Sequence, residues 1–489
     1  MKKALLIALM VMLGMFTACN GQDDDKFIHI YDMSVRVDED KEIVVHSNLN
    51  DVSEIEYEIM EEGALVIGNR IYGVISGASV PVKAKLGKFE TEFTVHVERE
   101  EVEVEGELFA PIDIESVPAL KERDDFIMGA DISSVVEVLK RGGKFFDRNG
   151  NRTSVFKLLK DAGVNYVRIR LWNDPAAPNG KPYGGGNNDL EVAKRIGRIA
   201  KAFGMKILLD FHYSDFWADP GKQVIPKAWA AFTDSEQVKK AIYEFTYASL
   251  MAMEEAGAKV DMVQIGNEIT PGLIVHGVDD YANISELKKY DLNSNISGSV
   301  GNLGNFLKYI NAGLQAARDA NPEILTMIHI DRGGNNSLAV EYFGRLINNN
   351  VDFDIIGLSY YIFYHGEFRN FEANIRDLAG RFGKKIVVAE TSYPFTNAPV
   401  ANAAHIQTEP FYEYPLSVEG QARMIRDVIK ATANVPNEMG LGIFYWEPAW
   451  LPVPNAGWAE AGTPATWANQ ALFSYQGIAL PSLDVFKKQ

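Results

Sequence analysis

The chain has a single cysteine, Cys19, so no intrachain disulfide can form and packing alone must hold the fold. Basic residues are in deficit: 48 Lys and Arg stand against 66 Asp and Glu, a formal net charge of −18. That charge leaves no basic face for a nucleic acid, and no nucleic-acid partner is expected. It suits an acidic polysaccharide no better. His-x-His and His-Glu-x-x-His spacings are missing, so no catalytic metal is expected. Gly184-Gly185-Gly186 and Gly333-Gly334 lack the pattern of a phosphate-cradling loop, and there is no nucleophile elbow. What remains is ordinary globular material. The 489 residues are 47% hydrophobic and 23% charged, which excludes a largely disordered chain and leaves room for several domains.

The first residues read as an export signal. Lys2 and Lys3 precede an uncharged, largely apolar run from Ala4 to Ala18. That run is shorter than the roughly 20 residues a membrane span needs, and it fits the apolar core of a secretory signal, residues 1–18. Phe16-Thr17-Ala18-Cys19 resembles the lipobox of bacterial lipoproteins, which implies cleavage before Cys19 and a lipid on its thiol. An acidic tether, residues 19–26, follows. Acids just after the anchor resemble surface-export signals of Bacteroidetes-type lipoproteins. An exported protein, lipid-anchored to a bacterial membrane at the outer cell surface, is therefore expected.

Residues 27–107 alternate in the manner of short strands. Ile28–Tyr31, Glu42–His46 and Phe93–Val97 are rich in β-branched and aromatic residues, with turn signals at Glu62-Gly63 and Gly77-Ala78. A small, Ig-like β-sandwich without helices is expected. No cluster of reactive side chains marks it, so a spacer is expected ahead of a carbohydrate-binding module. The acidic stretch Glu98–Pro118 is expected to hold a last strand and then a linker, residues 108–118.

From residue 119 to 489 the pattern becomes strand-then-helix. Eight short apolar runs read as buried parallel strands: Phe126–Ile132, Tyr166–Trp172, Lys206–His212, Met262–Glu268, Leu325–Asp331, Asp354–Tyr361, Lys385–Thr391 and Gly442–Glu447. Amphipathic patterns lie between them, with Asp234 as N-cap of a long helix ending near Ala256. Eight β/α units in about 370 residues is the arithmetic of an α/β fold of the (β/α)8 TIM-barrel type. In that fold chemistry sits at the C-terminal strand ends.

Those ends are polar. The fourth strand finishes Gly266-Asn267-Glu268 and the seventh Ala389-Glu390-Thr391. Two carboxyls facing one cavity are the minimum equipment for glycoside hydrolysis, one as acid/base and one as nucleophile. Arg168 and Arg170 on the second strand share a face, so one is expected as deep structure and the other as functional. His212, Asp215 and Trp217 close the third strand, His329 the fifth, Tyr361 the sixth and Trp446 the eighth. An arginine keeps a nucleophilic carboxylate ionised, and a tryptophan face stacks on a pyranose.

The Asn-Glu and Glu pair resembles the retaining barrel glycosidases of clan A. More specific blocks resemble glycoside hydrolase family 53. They are Val167–Trp172, Asp210–Pro220, Gln264–Glu268, Ser359–Tyr361, Ala389–Pro394, Trp467–Phe473 and Ala479–Leu483, in family order. The resemblance implies an endo-β-1,4-galactanase cutting the galactan of pectin, type I arabinogalactan, with retention. It implies Glu268 as acid/base, Glu390 as nucleophile and Asn267 on the sugar 2-hydroxyl. It further implies Arg170, His212, Tyr361 and Trp446 around the −1 sugar, with Trp217 and Asp215 shaping the neighbouring cleft. Another clan A endo-glycanase, a mannanase or xylanase, is the alternative on the carboxylates alone. A non-catalytic glycan-binding surface lipoprotein is a further one, which the intact glutamate pair disfavours. Some bacterial members carry a structural calcium in a loop near the end of the barrel. Here residues 397–419 offer only Glu409, Glu413 and Glu419 as acids, which puts that site in doubt; no other cofactor is expected.

Overall fold

A computed structural model describes residues 26–488, residue 287 excepted. The export signal and Cys19 therefore lie outside the described residues. Eight parallel strands close into a barrel: β1 (Ile127–Asp131), β2 (Tyr166–Leu171), β3 (Lys206–Phe211), β4 (Met262–Ile265), β5 (Leu325–Ile330), β6 (Ile355–Ser359), β7 (Lys385–Thr391) and β8 (Gly440–Trp446). Apart from the first residues of β3, β5 and β7 and Leu441 in β8, these strands are buried throughout. That is why they read as apolar runs rather than alternating ones.

The alternation reappears inside the barrel. Ile127, Tyr166, Leu208, Met262, Met327, Ile355, Val387 and Phe444 meet as one apolar layer near the strand starts. Gly129 is required beside it, because a Cβ there would come within 2.3 Å of the Phe444 ring. Two residues further along β2, β3, β4 and β5 the same face carries Arg168, Asp210, Gln264 and His329, all buried. The interior thus changes from hydrocarbon to ionic groups toward the C-terminal end, where the strand period of two places them.

Helices Leu190–Ala202, Ser235–Glu255, Leu303–Ala320, Asn336–Asn348, Phe368–Phe382 and Val418–Ala433 cover the outside. Asp234 caps the second of these, its carboxylate accepting from the N–H of Glu236 and Gln237, as its position in the sequence implies. One expectation fails here. β8 is followed by irregular chain and 3-10 turns at Ala468–Gln470 and Pro481–Phe486, with no α-helix after it among the described residues. The segment after Trp446 is broken by Pro448, Pro452, Pro454, Gly457, Gly462 and Pro464, which interrupt helical hydrogen bonding.

The N-terminal strands form a four-stranded sheet, a three-stranded sheet and a two-stranded pairing, with no α-helix before the barrel among the described residues. Their own core holds Val35, Ile71, Val80, Val82, Phe93 and Val95. Tyr72 and Val74 instead pack into the barrel's core. The Ser154 N–H donates to the Val74 carbonyl at 2.8 Å, and Arg152 donates to the Val37 carbonyl at 3.0 Å. Residues 98–118 hold no strand, only one bridge between Glu101 and Asn151 and short 3-10 turns. The alternating Val and Glu of that stretch imitate a strand, but the pairing does not extend beyond that one bridge. Among the described residues no helix is long and apolar enough to cross a membrane.

Candidate active site

The C-terminal mouth of the barrel opens into a cleft of about 540 Å³. Arg168, Arg170, His212, Trp217, Asn267, Glu268, Tyr361, Glu390 and Trp446 all line it, so the mouth brings nine of the expected site residues together. Asp215 and His329 do not line it. Asp215 is fully buried behind the wall, accepting from the backbone N–H of Asp174 at 3.1 Å and Lys227 at 2.7 Å, where it ties two loops together. His329 is fully buried behind Glu268.

Glu390 owes its direction to an irregularity. Val387 and Ala389 both pack inside the barrel, so strict alternation would turn Glu390 outward. The ladder shifts register between Leu358 and Ser359 and again between Val388 and Thr391. This bulge re-aims the carboxylate into the cleft. Glu268 is turned by a different device. β4 ends at Ile265, and Glu268 sits past it with φ of +47°. A left-handed glutamate costs on the order of 1–3 kcal/mol, a strain tolerated where a side chain must be held in one place.

The two carboxyls have different company. Glu390 lies 2.9 Å from an Arg168 Nη and accepts the Tyr361 hydroxyl at 2.9 Å. Glu268 accepts the Ser359 hydroxyl at 2.6 Å and faces the negative Glu390 and Asp331 with no cation beside it. Burial raises both groups. For Glu390 it is opposed chiefly by Arg168, and the carboxyl is pushed up to about 7. For Glu268, burial and then the Glu390 charge act together and hold it well above the carboxylate range. Of the pair, Glu268 keeps the proton and Glu390 the charge.

Arg168 is the hub. It donates to Asp131 at 2.8 Å, Asp210 at 2.9 Å and Asn267 Oδ1 at 2.8 Å besides reaching Glu390. Burial opposes its charge, and the surrounding Asp210, Glu390 and Asp131 overcome that. Arg170 points along the same face into another pairing, with Glu447 at 2.5 Å and the Gly185 carbonyl at 2.9 Å. The two arginines differ in their partners, and it is Arg168, not the Arg170 that the resemblance places around the −1 sugar, that reaches Glu390. Arg168 touches Glu390, while Arg170 braces the wall, its guanidinium 4.2 Å over the Trp217 ring. Trp217 also stacks on Trp458 at 4.2 Å. His212 spends both ring nitrogens within the protein. Nδ1 accepts from the Trp172 indole and the Ala218 N–H, each at 3.1 Å, and Nε2 faces Asp210 at 3.1 Å. Asn267 gives one amide proton to the Ala218 carbonyl at 2.8 Å, which leaves the other for the cleft.

Asp131, Asp210, Gln264, Ser359 and Glu447 belong to this network and were not singled out by sequence reasoning. A signal existed. Two buried arginines on one strand require carboxylates on the flanking strands. Asp131 and Asp210 stand in register with Arg168 and Arg170. Trp458 and Trp467 also line the cleft, from loops with no period to read. Among the described residues no group of three or more His, Cys, Asp or Glu side chains is placed to hold a metal ion.

The sequence model of glycosyl hydrolase family 53 matches residues 127–486. An endo-beta-1,4-galactanase of Bacillus subtilis is 41% identical over 399 residues, covering 74% of this chain and 86% of the relative. An arabinogalactan endo-beta-1,4-galactanase of Humicola insolens is 30% identical over 74% of this chain and 98% of its own. Among solved structures, the Ignisphaera aggregans family 53 catalytic domain superposes with a TM-score of 0.68 at 39% identity, covering 77% of this chain and 99% of that one. A fungal beta-1,4-galactanase gives 0.61 at 29% identity, over 74% and 98%. The (β/α)8 barrel with paired carboxyls at its mouth is therefore a family 53 catalytic domain, and the chain belongs to glycosyl hydrolase family 53.

Proposed function

We propose that this protein is a retaining endo-β-1,4-galactanase acting on pectic galactan. The observation that carries the reading is the unequal surrounding of the two carboxyls: Glu390 is held beside Arg168 and Tyr361, and Glu268 is held without a cation. The galactanase names of its relatives supply the substrate.

The glycan lies across the open mouth, against the aromatic wall of Trp446, Trp458 and Trp467. Glu390 attacks the anomeric carbon while Glu268 gives its proton to the departing glycosidic oxygen. The glycosyl-enzyme ester forms as the sugar–oxygen bond breaks. Glu268, now ionised, takes a proton from water, and the hydroxide displaces Glu390 from the same face the leaving group occupied. Nucleophile and proton both come from side chains, so the chemistry calls for no cofactor. Export and anchoring through a lipid on Cys19 belong to the same proposal and rest on the pattern of residues 1–19.

The test is to incubate protein lacking residues 1–19 with pectic galactan, mannan, xylan and β-glucan and to measure new reducing ends. Short β-1,4-galacto-oligosaccharides from galactan alone are expected. Cleavage of another backbone but not galactan would overturn the substrate, and binding without cleavage would favour a glycan-binding lipoprotein.

A further inference from the structure

Behind Glu268 runs a chain of buried groups that the mechanism above does not use. Ser359, at the end of β6, is fully buried, and its hydroxyl donates to Glu268 Oε1 at 2.6 Å. His329 Nε2 stands 2.9 Å from the same hydroxyl oxygen. On the other side of the ring, His329 Nδ1 faces the Gln264 amide at 3.0 Å and the backbone N–H of Glu268 itself at 3.4 Å. Both are donors. Asn267 Oδ1 is also 3.1 Å from Nδ1, but that oxygen has two donors of its own, Arg168 at 2.8 Å and the Gln264 amide at 3.1 Å.

These partners fix the direction of every proton. Nδ1 meets the backbone N–H of Glu268, which can only donate, and so must accept. The neutral ring then carries its proton on Nε2 and donates it to Ser359 Oγ. The serine has one proton, and its remaining partner is Glu268 Oε1. The ring stays neutral because burial and the Arg168 charge hold it far below the usual histidine range.

We propose that His329 and Ser359 are positioning residues that fill Oε1 of Glu268 and so keep the transferable proton on Oε2, the oxygen left to meet the glycosidic bond. Neither residue touches substrate. A carboxylic acid whose proton rested on Oε1 would hydrogen-bond to the protein and not to the leaving group. In the second half-reaction the same serine proton stabilises the ionised carboxylate that accepts from water. The charges that raise Glu268 are Glu390 from β7, Asp331 just after β5 and Asp219 from the loop after β3, and Arg332 of the same cleft is paired with Asp331 at 2.9 Å. The Tyr361 hydroxyl, two residues past β6, donates to Glu390, and Arg168 from β2 pairs with it too. Ser359 is thus the group in this surrounding that lowers the proton affinity of Glu268.

This inference rests on the acid/base reading of Glu268, and its test separates the two. Ser359→Ala is expected to lower kcat on polysaccharide about tenfold to a hundredfold with KM nearly unchanged. The basic limb of the pH profile should move to higher pH, since the hydrogen bond that favours the carboxylate is lost. With a dinitrophenyl glycoside of the same sugar the leaving group needs no proton, so the glycosylation rate should match the unaltered enzyme. His329→Gln, whose amide also donates, should retain more polysaccharide activity than His329→Phe. The polysaccharide used is whichever one the unaltered protein cleaves, so a wrong substrate leaves the comparison intact. If Ser359→Ala loses activity equally on both substrates with an unmoved pH profile, or keeps full activity, the positioning role is overturned. Substantial polysaccharide activity in Glu268→Gln would overturn the acid/base reading beneath it instead.

Discussion

Glu390→Ala is expected to abolish galactan turnover by a factor on the order of 10⁴ or more, with the barrel still folded. The fold should survive because Arg168 keeps Asp131 and Asp210 as partners once Glu390 is gone. Azide separates the two glutamates by stereochemistry. In Glu390→Ala the space left on the nucleophile's side admits the anion, which displaces the leaving group directly and gives the α-glycosyl azide. In Glu268→Ala the glycosyl-enzyme still forms from a substrate with an activated leaving group. Azide then displaces Glu390, and the product is the β-azide. Loss of the acid should cost about 10²–10⁴-fold on polysaccharide and far less on the activated substrate. Substantial galactan turnover by Glu390→Ala, or a β-azide from it, would remove Glu390 as the nucleophile.

The second large effect is on stability. Arg168 is 1% exposed and pairs with Asp131, Asp210 and Glu390. Arg168→Ala should cost about 3–5 kcal/mol, because three buried carboxylates lose the cation that offsets their desolvation. The pH dependence has a definite sign. Burial works against the Asp210 charge, but Arg168 and His212 override it and hold that carboxyl below its usual range in the folded protein. Its contribution is present above the unfolded carboxylate range and fades as pH falls. Without Arg168, burial raises Asp210 and pushes Glu390 further up, and the folded state then takes up protons that the unfolded chain does not bind. The variant should therefore recover part of its lost stability as pH falls, and the gap in Tm between the two proteins should narrow from pH 8 to pH 5. A gap that stays constant would mean that Arg168 acts by packing alone. Activity should be lost as well, because a nucleophile deprived of its cation is protonated at neutral pH.

Much of this site could be read from the chain because barrel strands are short, apolar and buried on both sides. A glutamate at the end of such a strand has no packing role, so Glu268 and Glu390 stood out. What stayed hidden depends on contacts between strands. The bulge that turns Glu390 inward is a property of the pairing of β6, β7 and β8, and a period of two gives the wrong face. The split between Arg168 and Arg170 follows from which carboxylates the neighbouring strands supply. His329 and Asp215 have the residue types of ligands, but they lie behind the wall and hold other groups in place. Trp458 reaches the cleft from a loop, where no periodicity points to it. In the N-terminal region the alternating glutamates after Glu98 imitate a strand, but their pairing stops at the single bridge between Glu101 and Asn151.

Retention requires Glu390 as nucleophile and Glu268 as the acid that becomes a base. The most direct test is the anomeric form of the first product, followed by proton NMR from the moment galactan meets the enzyme. The account predicts that the β-anomer appears first and mutarotates later to the equilibrium mixture, since two displacements retain configuration. An α-anomer appearing first would mean a single displacement by water and would contradict the roles given to both glutamates.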